Sequence, residues 1–242
     1  MTIIESCIDF WTSFVPEFPQ RIRGAATEQI TELESLMERP LSAIYREFLE
    51  RMGEDRGPLN LGLYSTSPEY LIEQRLYVLE NLPESIELFA SPTGDDEEDI
   101  FLVHGGQPDP EVVRHDDVPL ADDGSFDRSK TESVAGSLAE LLCLPALNQY
   151  HSLRQPFRAT WSEKELREDT LERCRRLAAI FGFEPYWFSS PQTFAARRGD
   201  LVIVAKQAPG FLFSVGIAGA DEFDTGVVSR TLLRELDLKE YR

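Results

Sequence analysis

Residues 41–52 permit only one regular backbone. Leu41, Ile44, Tyr45, Phe48, Leu49 and Met52 fall at i, i+3, i+4, i+7, i+8 and i+11, the spacing that lines one side of an α-helix. Arg46, Glu47, Glu50 and Arg51 lie off that stripe and give the helix a wet face. Upstream, Ile30, Leu33 and Met37 repeat the pattern, and Pro40 separates the two segments. Residues 27–53 therefore predict a pair of short amphipathic helices. They carry no catalytic constellation and no phosphate loop, which points towards a binding module.

An apolar stripe must be buried against something, and the period changes where that partner begins. Ile86, Leu88 and Ala90 alternate with Glu87 and Phe89, a strand pattern. Residues 100–104 and 111–115 predict two more strands, divided by the turns SPTGDDEED and GGQPDP. Strand, turn, strand, turn, strand at this spacing predicts an antiparallel meander. Helices are expected around it. Ile4, Ile8, Trp11 and Val15 mark one that ends at Pro16. Ser67 caps another with Pro68 in its first turn and Ile72, Leu76 and Leu79 inward. After a polar loop, Val134, Leu138, Leu141 and Leu142 mark a helix closed by Pro145.

The pattern then repeats coarsely. Residues 147–160 form a connector containing Pro156. Trp161-Ser162-Glu163-Lys164-Glu165-Leu166 has the form of a capping box with a hydrophobic staple. The helix it predicts runs through Leu171, Cys174, Leu177, Ala178 and Phe181 to Gly182. Strands are expected at 186–189, 193–197, 201–206 and 211–217, and a last helix carries Val228, Leu232 and Leu236. Helix and strand blocks that do not alternate in βαβ fashion predict an α+β fold with a mainly antiparallel sheet backed by helices. The expected division is a first domain over 1–155 and a C-terminal helix–meander–helix extension over 156–242.

Bulk charge narrows the function. The chain has 43 acidic and 24 basic residues, a net charge of −19. A polyanion of this kind is repelled by nucleic acid and by anionic membranes. Acidity is also an ordinary means to solubility, and it equally suits a basic protein partner drawn in by electrostatic steering. No apolar run approaches the roughly 18 residues of a spanning helix. The first residues lack a basic region before an apolar one, so no secretory leader and a cytoplasmic setting are expected. Cys7, Cys143 and Cys174 are odd in number and lie in apolar periodic segments, as buried small hydrophobes in a reducing compartment do.

Few residues invite a chemical role. The densest acidic run, Asp95, Asp96, Glu97, Glu98 and Asp99, is a solvated turn or a partner-binding patch. Consecutive carboxylates lack the spaced ligands and glycine turn of a hard-cation loop. With Asp109, Glu111, Asp116, Asp117, Asp122 and Asp123 they form the segment chosen here as the candidate partner-binding surface. His104, His115 and His151 have no ligand neighbours at metal spacing. His115-Asp116 lacks an accompanying nucleophile, and Cys174, though flanked by arginines, sits on an apolar stripe. The glycines form no nucleotide-binding pattern. Tyr186-Trp187-Phe188 is a core cluster or an exposed aromatic anchor. No cofactor and no metal are expected.

The helix pair also carries a resemblance. Ile30, Leu33 and Glu34, then Leu41, Tyr45, Phe48 and Leu49, with Gly53 at the turn, resemble the N-terminal signature of the SUKH superfamily. Its later motifs are matched by residues 94–103, 110–116 and Ser137-Leu138-Ala139-Glu140-Leu141-Leu142. The chain departs from the pattern at Ser42, where the family has proline, and at the acidic run, where it has Gly-Asp. The likeness spans residues 27–150. It implies an α+β fold without enzymatic activity. Many bacterial members are immunity proteins that neutralise toxins, often nucleases with basic faces. The expected function is a cytoplasmic immunity protein binding a basic, nuclease-type toxin stoichiometrically. The alternatives are a regulatory or scaffold module with a cellular partner, and a hydrolase in the C-terminal half.

Overall fold

In the computed structural model the described residues are 1–93, 98–163, 169–207 and 213–238. The chain divides into two compact units, Met1–Leu142 and Cys143–Arg242, each with its own five-stranded sheet. Together they make an α+β fold with antiparallel sheets.

The first unit opens with four helices: α1 (Ile3–Thr12), α2 (Phe18–Arg21), α3 (Thr27–Leu36) and α4 (Ala43–Met52). A short β1 (Tyr64–Ser65), α5 (Pro68–Glu80) and then β2 (Ile86–Pro92), β3 (Asp99–Val103), β4 (Glu111–His115) and β5 (Glu132–Ala135) follow. The strands lie in sequence order, each antiparallel to the next. α1 starts with a capping box, in which Thr2 Oγ1 accepts from the Glu5 amide and Glu5 accepts from the Thr2 amide. Its Trp11 stacks on Phe18 at 5.0 Å and donates its indole N–H to the Leu142 carbonyl at 2.7 Å.

The stripe on α4 buries against β2. Phe48 and Tyr45 meet the Phe89 ring at 4.8 and 5.8 Å, and the Tyr45 hydroxyl donates to the Leu88 carbonyl at 2.7 Å. All seven residues of β2 are buried, so the alternation read from the sequence does not separate a dry face from a wet one. The register of β2 on β3 shifts between Leu88 and Ala90, and Glu87 meets Ser42 at the start of α4 while Phe89 meets its rings. There Ser42 caps the helix by accepting from the Tyr45 amide.

The linker before α3 closes the other end of α4. The Ala25 amide donates to the Leu49 carbonyl at 2.8 Å, and Arg23 pairs with Asp55 in an antiparallel bridge. Gly24 passes so close that an added Cβ would sit 1.9 Å from the Glu50 carbonyl oxygen. Glycine is demanded here by a close approach of two backbones.

Two expectations for this unit need correction. α5 does not point Ile72, Leu76 and Leu79 inward as one stripe. Arg75 leaves helical geometry (φ −133°, ψ 28°). Leu71, Val78 and Leu79 are buried, while Leu76 is exposed. The polar loop after β4 ends sooner than expected, because Val134 belongs to β5. That strand's pairing with β4 carries a register shift, and α6 (Leu138–Ala146) begins only after it.

The second unit comprises β6 (Phe157–Glu163), α7 (Thr170–Ile180), β7 (Glu184–Pro185), β8 (Thr193–Arg198), β9 (Leu201–Lys206), β10 (Phe213–Gly219) and α8 (Glu222–Leu236). Strand order is β6-β10-β9-β8-β7, all antiparallel. Trp161, Leu171, Cys174, Ile203, Phe213, Val215, Val228 and Leu232 share its core. Trp161-Ser162-Glu163 does not start a helix. It ends β6, with Trp161 opposite Val215, because seven residues of strand pairing outweigh one turn's capping preference. The remainder of that expected box lies outside the described residues. Residues 186–189 are a turn instead of a strand, with the Tyr186 and Phe188 rings stacked at 5.3 Å.

Truncating Phe48 to Ala is expected to cost about 2–5 kcal/mol of unfolding free energy, measured by urea titration. Gly24→Ala is expected to destabilise comparably without removing any apolar group, since the backbones must part.

Candidate functional site

Charge is divided unevenly between the two units. Residues 1–142 hold 30 acidic and 10 basic side chains, and residues 143–242 hold 13 and 14. The first unit therefore carries −20 and the second +1. The acidity is a property of one half.

Within that half, several of the chosen carboxylates are already engaged. Asp99 opens β3 almost fully buried and accepts from Arg75 Nε at 3.0 Å. Burial pushes its carboxyl up despite the guanidinium. Asp109 accepts from the Ala139 amide at 3.2 Å at the start of α6, and burial raises it too. Glu98 meets Arg114 Nε at 3.0 Å, and Arg114 also donates to Glu132 at 2.8 Å. Glu111 receives Arg128 Nε at 3.1 Å. These four brace the sheet and its loops. Asp116, Asp117, Asp122 and Asp123 are exposed in the loop after β4, where Asp123 accepts from the Ser125 amide and hydroxyl. Asp95, Asp96 and Glu97 lie outside the described residues.

One carboxylate not among the candidates is buried and accepts three hydrogen bonds. Glu87, 4% exposed, accepts from the Ser42 amide at Oε1 and from the Ser42 hydroxyl at Oε2, both at 2.6 Å. Its Oε2 also lies 2.6 Å from His104 Nε2, which requires that nitrogen to carry the proton. Burial alone would raise the Glu87 carboxyl, but the hydrogen bonds from His104 and Ser42 outweigh it and hold it below its ordinary value of 4.5. Arg39 spans the same region by donating to the Leu82 and Ile86 carbonyls. Serine, histidine and a carboxylate meet here, but in the wrong order for nucleophilic catalysis. The serine hydroxyl and the imidazole both donate to the same carboxylate oxygen, so the imidazole is not placed to take the serine proton. The cluster ties a helix start to a strand. A glutamate among Ile86, Leu88, Phe89 and Ala90 was the available signal for it.

The other singled-out residues are structural. His115 Nδ1 sits 3.1 Å from Asp116 and accepts from the Asp117 amide, a local loop contact. His151 Nε2 lies 3.0 Å from the Asp200 carbonyl. Cys7, Cys143 and Cys174 are free and buried, and burial pushes the Cys174 thiol up to about 12. Phe188 is core, whereas Trp187 is half exposed. Among the described residues no group of three or more His, Cys, Asp or Glu side chains could hold a metal, and no helix is long and apolar enough to cross a membrane. Compared with models of known families, with curated proteins and with solved structures, the chain finds no match.

The lowered Glu87 carboxyl sets a pH dependence. Its stabilising contribution is present above the ordinary value of 4.5 and is lost as pH falls through the lower folded value. Glu87→Gln should cost about 2 kcal/mol near neutral pH. That deficit should shrink when urea unfolding is repeated at progressively more acid pH.

Proposed function

We propose that this chain is a non-enzymatic binding protein of SUKH-like type that neutralises a basic, nuclease-type toxin in the cytoplasm by stoichiometric binding through its first unit. The carrying observation is the confinement of the whole net charge to residues 1–142, at −20, beside a second unit near neutrality. Acidity serving solubility alone needs no such segregation. A polyanionic unit with exposed carboxylates at Asp116, Asp117, Asp122 and Asp123 suits a partner whose own working face binds phosphates. The buried carboxylates belong to the fold in this reading, and the exposed loop acids to the contact.

Co-expression with the toxins encoded beside it is the test. Relief of growth arrest is expected, and arrest unrelieved by this protein would overturn the proposal. Neutralising Asp116, Asp117, Asp122 and Asp123 to asparagine together should slow association by about tenfold at low salt, with little effect once salt screens the charges. Stopped-flow association rates across an ionic-strength series report this.

A further inference from the structure

The outward side of α5 combines acid with exposed apolar area. Glu69, Glu73, Leu76, Tyr77 and Glu80 fall at i, i+4, i+7, i+8 and i+11, and all five are exposed. Tyr77 is 71% exposed and Leu76 45%. Among the described residues no cation ion-pairs with Glu69, Glu73 or Glu80.

Arg75, midway along α5, leaves helical geometry, and its guanidinium is held by the buried carboxylate of Asp99. One turn earlier, the Tyr70 hydroxyl donates to the Pro92 carbonyl at 2.6 Å. Pro92 ends β2 and Asp99 begins β3, so α5 is pinned to both stems of that hairpin. The arrangement buries a charge and forgoes the burial of a leucine, and neither favours folding for its own sake.

We infer that the outward side of α5 is a docking surface for a cationic amphipathic segment of the partner. An apolar side chain of that segment lodges between Leu76 and Tyr77, while its lysines or arginines meet Glu69, Glu73 and Glu80. An aromatic anchor ringed by polar contacts is the usual energetic centre of an interface. The −20 of the unit selects the sign of the partner, and it opposes a second copy of the chain on the same face. The inference rests on the basic-partner reading above and specifies where that partner sits.

The test uses the full chain and two synthetic helical peptides of equal lysine content. One carries leucines along a single face, and the other carries serines in their place. Titration calorimetry at low salt should show at least about tenfold preference for the leucine peptide. Amide shifts of the labelled protein should concentrate at residues 68–80. Tyr77→Ala and Leu76→Ser, both at exposed positions, should abolish the preference while both peptides still bind. Glu69→Gln, Glu73→Gln and Glu80→Gln together should weaken both. Preference retained in the two apolar variants, or shifts confined to 116–123, would overturn the docking face and leave the basic-partner reading standing. Equal binding of the two peptides by the unaltered chain has the same meaning. Failure of both peptides to bind overturns both readings, and self-association through α5 seen by sedimentation overturns the docking face.

Discussion

The carboxylate of Glu87 is the contact on which the first unit depends. It fixes the start of α4 against β2 by accepting the Ser42 amide and hydroxyl and facing His104. With the helix start held there, the stripe of Tyr45, Phe48, Leu49 and Met52 has one register on the strand, and Phe89 receives two of its rings. The far end is held by the Ala25 amide and the bare backbone of Gly24. A buried charge with a full set of donors is tolerable and specific, whereas the same charge with one donor missing would be costly. The polar tie gives the alignment, and the apolar stripe supplies the burial energy.

Legibility from sequence followed the range of the interactions involved. α4 was readable because its stripe has a single period and its cap is local to Ser42. β3 was readable because turn sequences bracket it. α5 misled because its apolar residues lie on both sides, with Leu71, Val78 and Leu79 buried and Leu76 exposed. β6 misled because local capping at Ser162 lost to pairing with β10. Of the candidate site, the acidity was plain, but which carboxylates were structural was not. Asp99 and Asp109 carry the same letter as Asp116 and Asp122, and only their surroundings assign them to the scaffold or the surface. The concentration of charge in residues 1–142 was countable in the sequence once a boundary was known.

The two units thus meet the same fold problem with different surfaces. Each backs an antiparallel sheet with helices, and each has its own core. The first leaves its excess acids exposed around a braced sheet. The second offsets acids with arginines, several of which serve its own backbone, as Arg175 does at the Ser190 carbonyl and Arg198 at Phe181.

The confinement of charge has a consequence for counterions. A unit at −20 gathers a cloud of small cations, and its neutral neighbour along the chain does not. A polycation that lands on the first unit sets that cloud free, so part of the drive to associate is the entropy of released ions and owes nothing to shape. The same cloud contracts in brine and spreads in dilute buffer. The ionic composition around the molecule then sets how far away a partner first senses it.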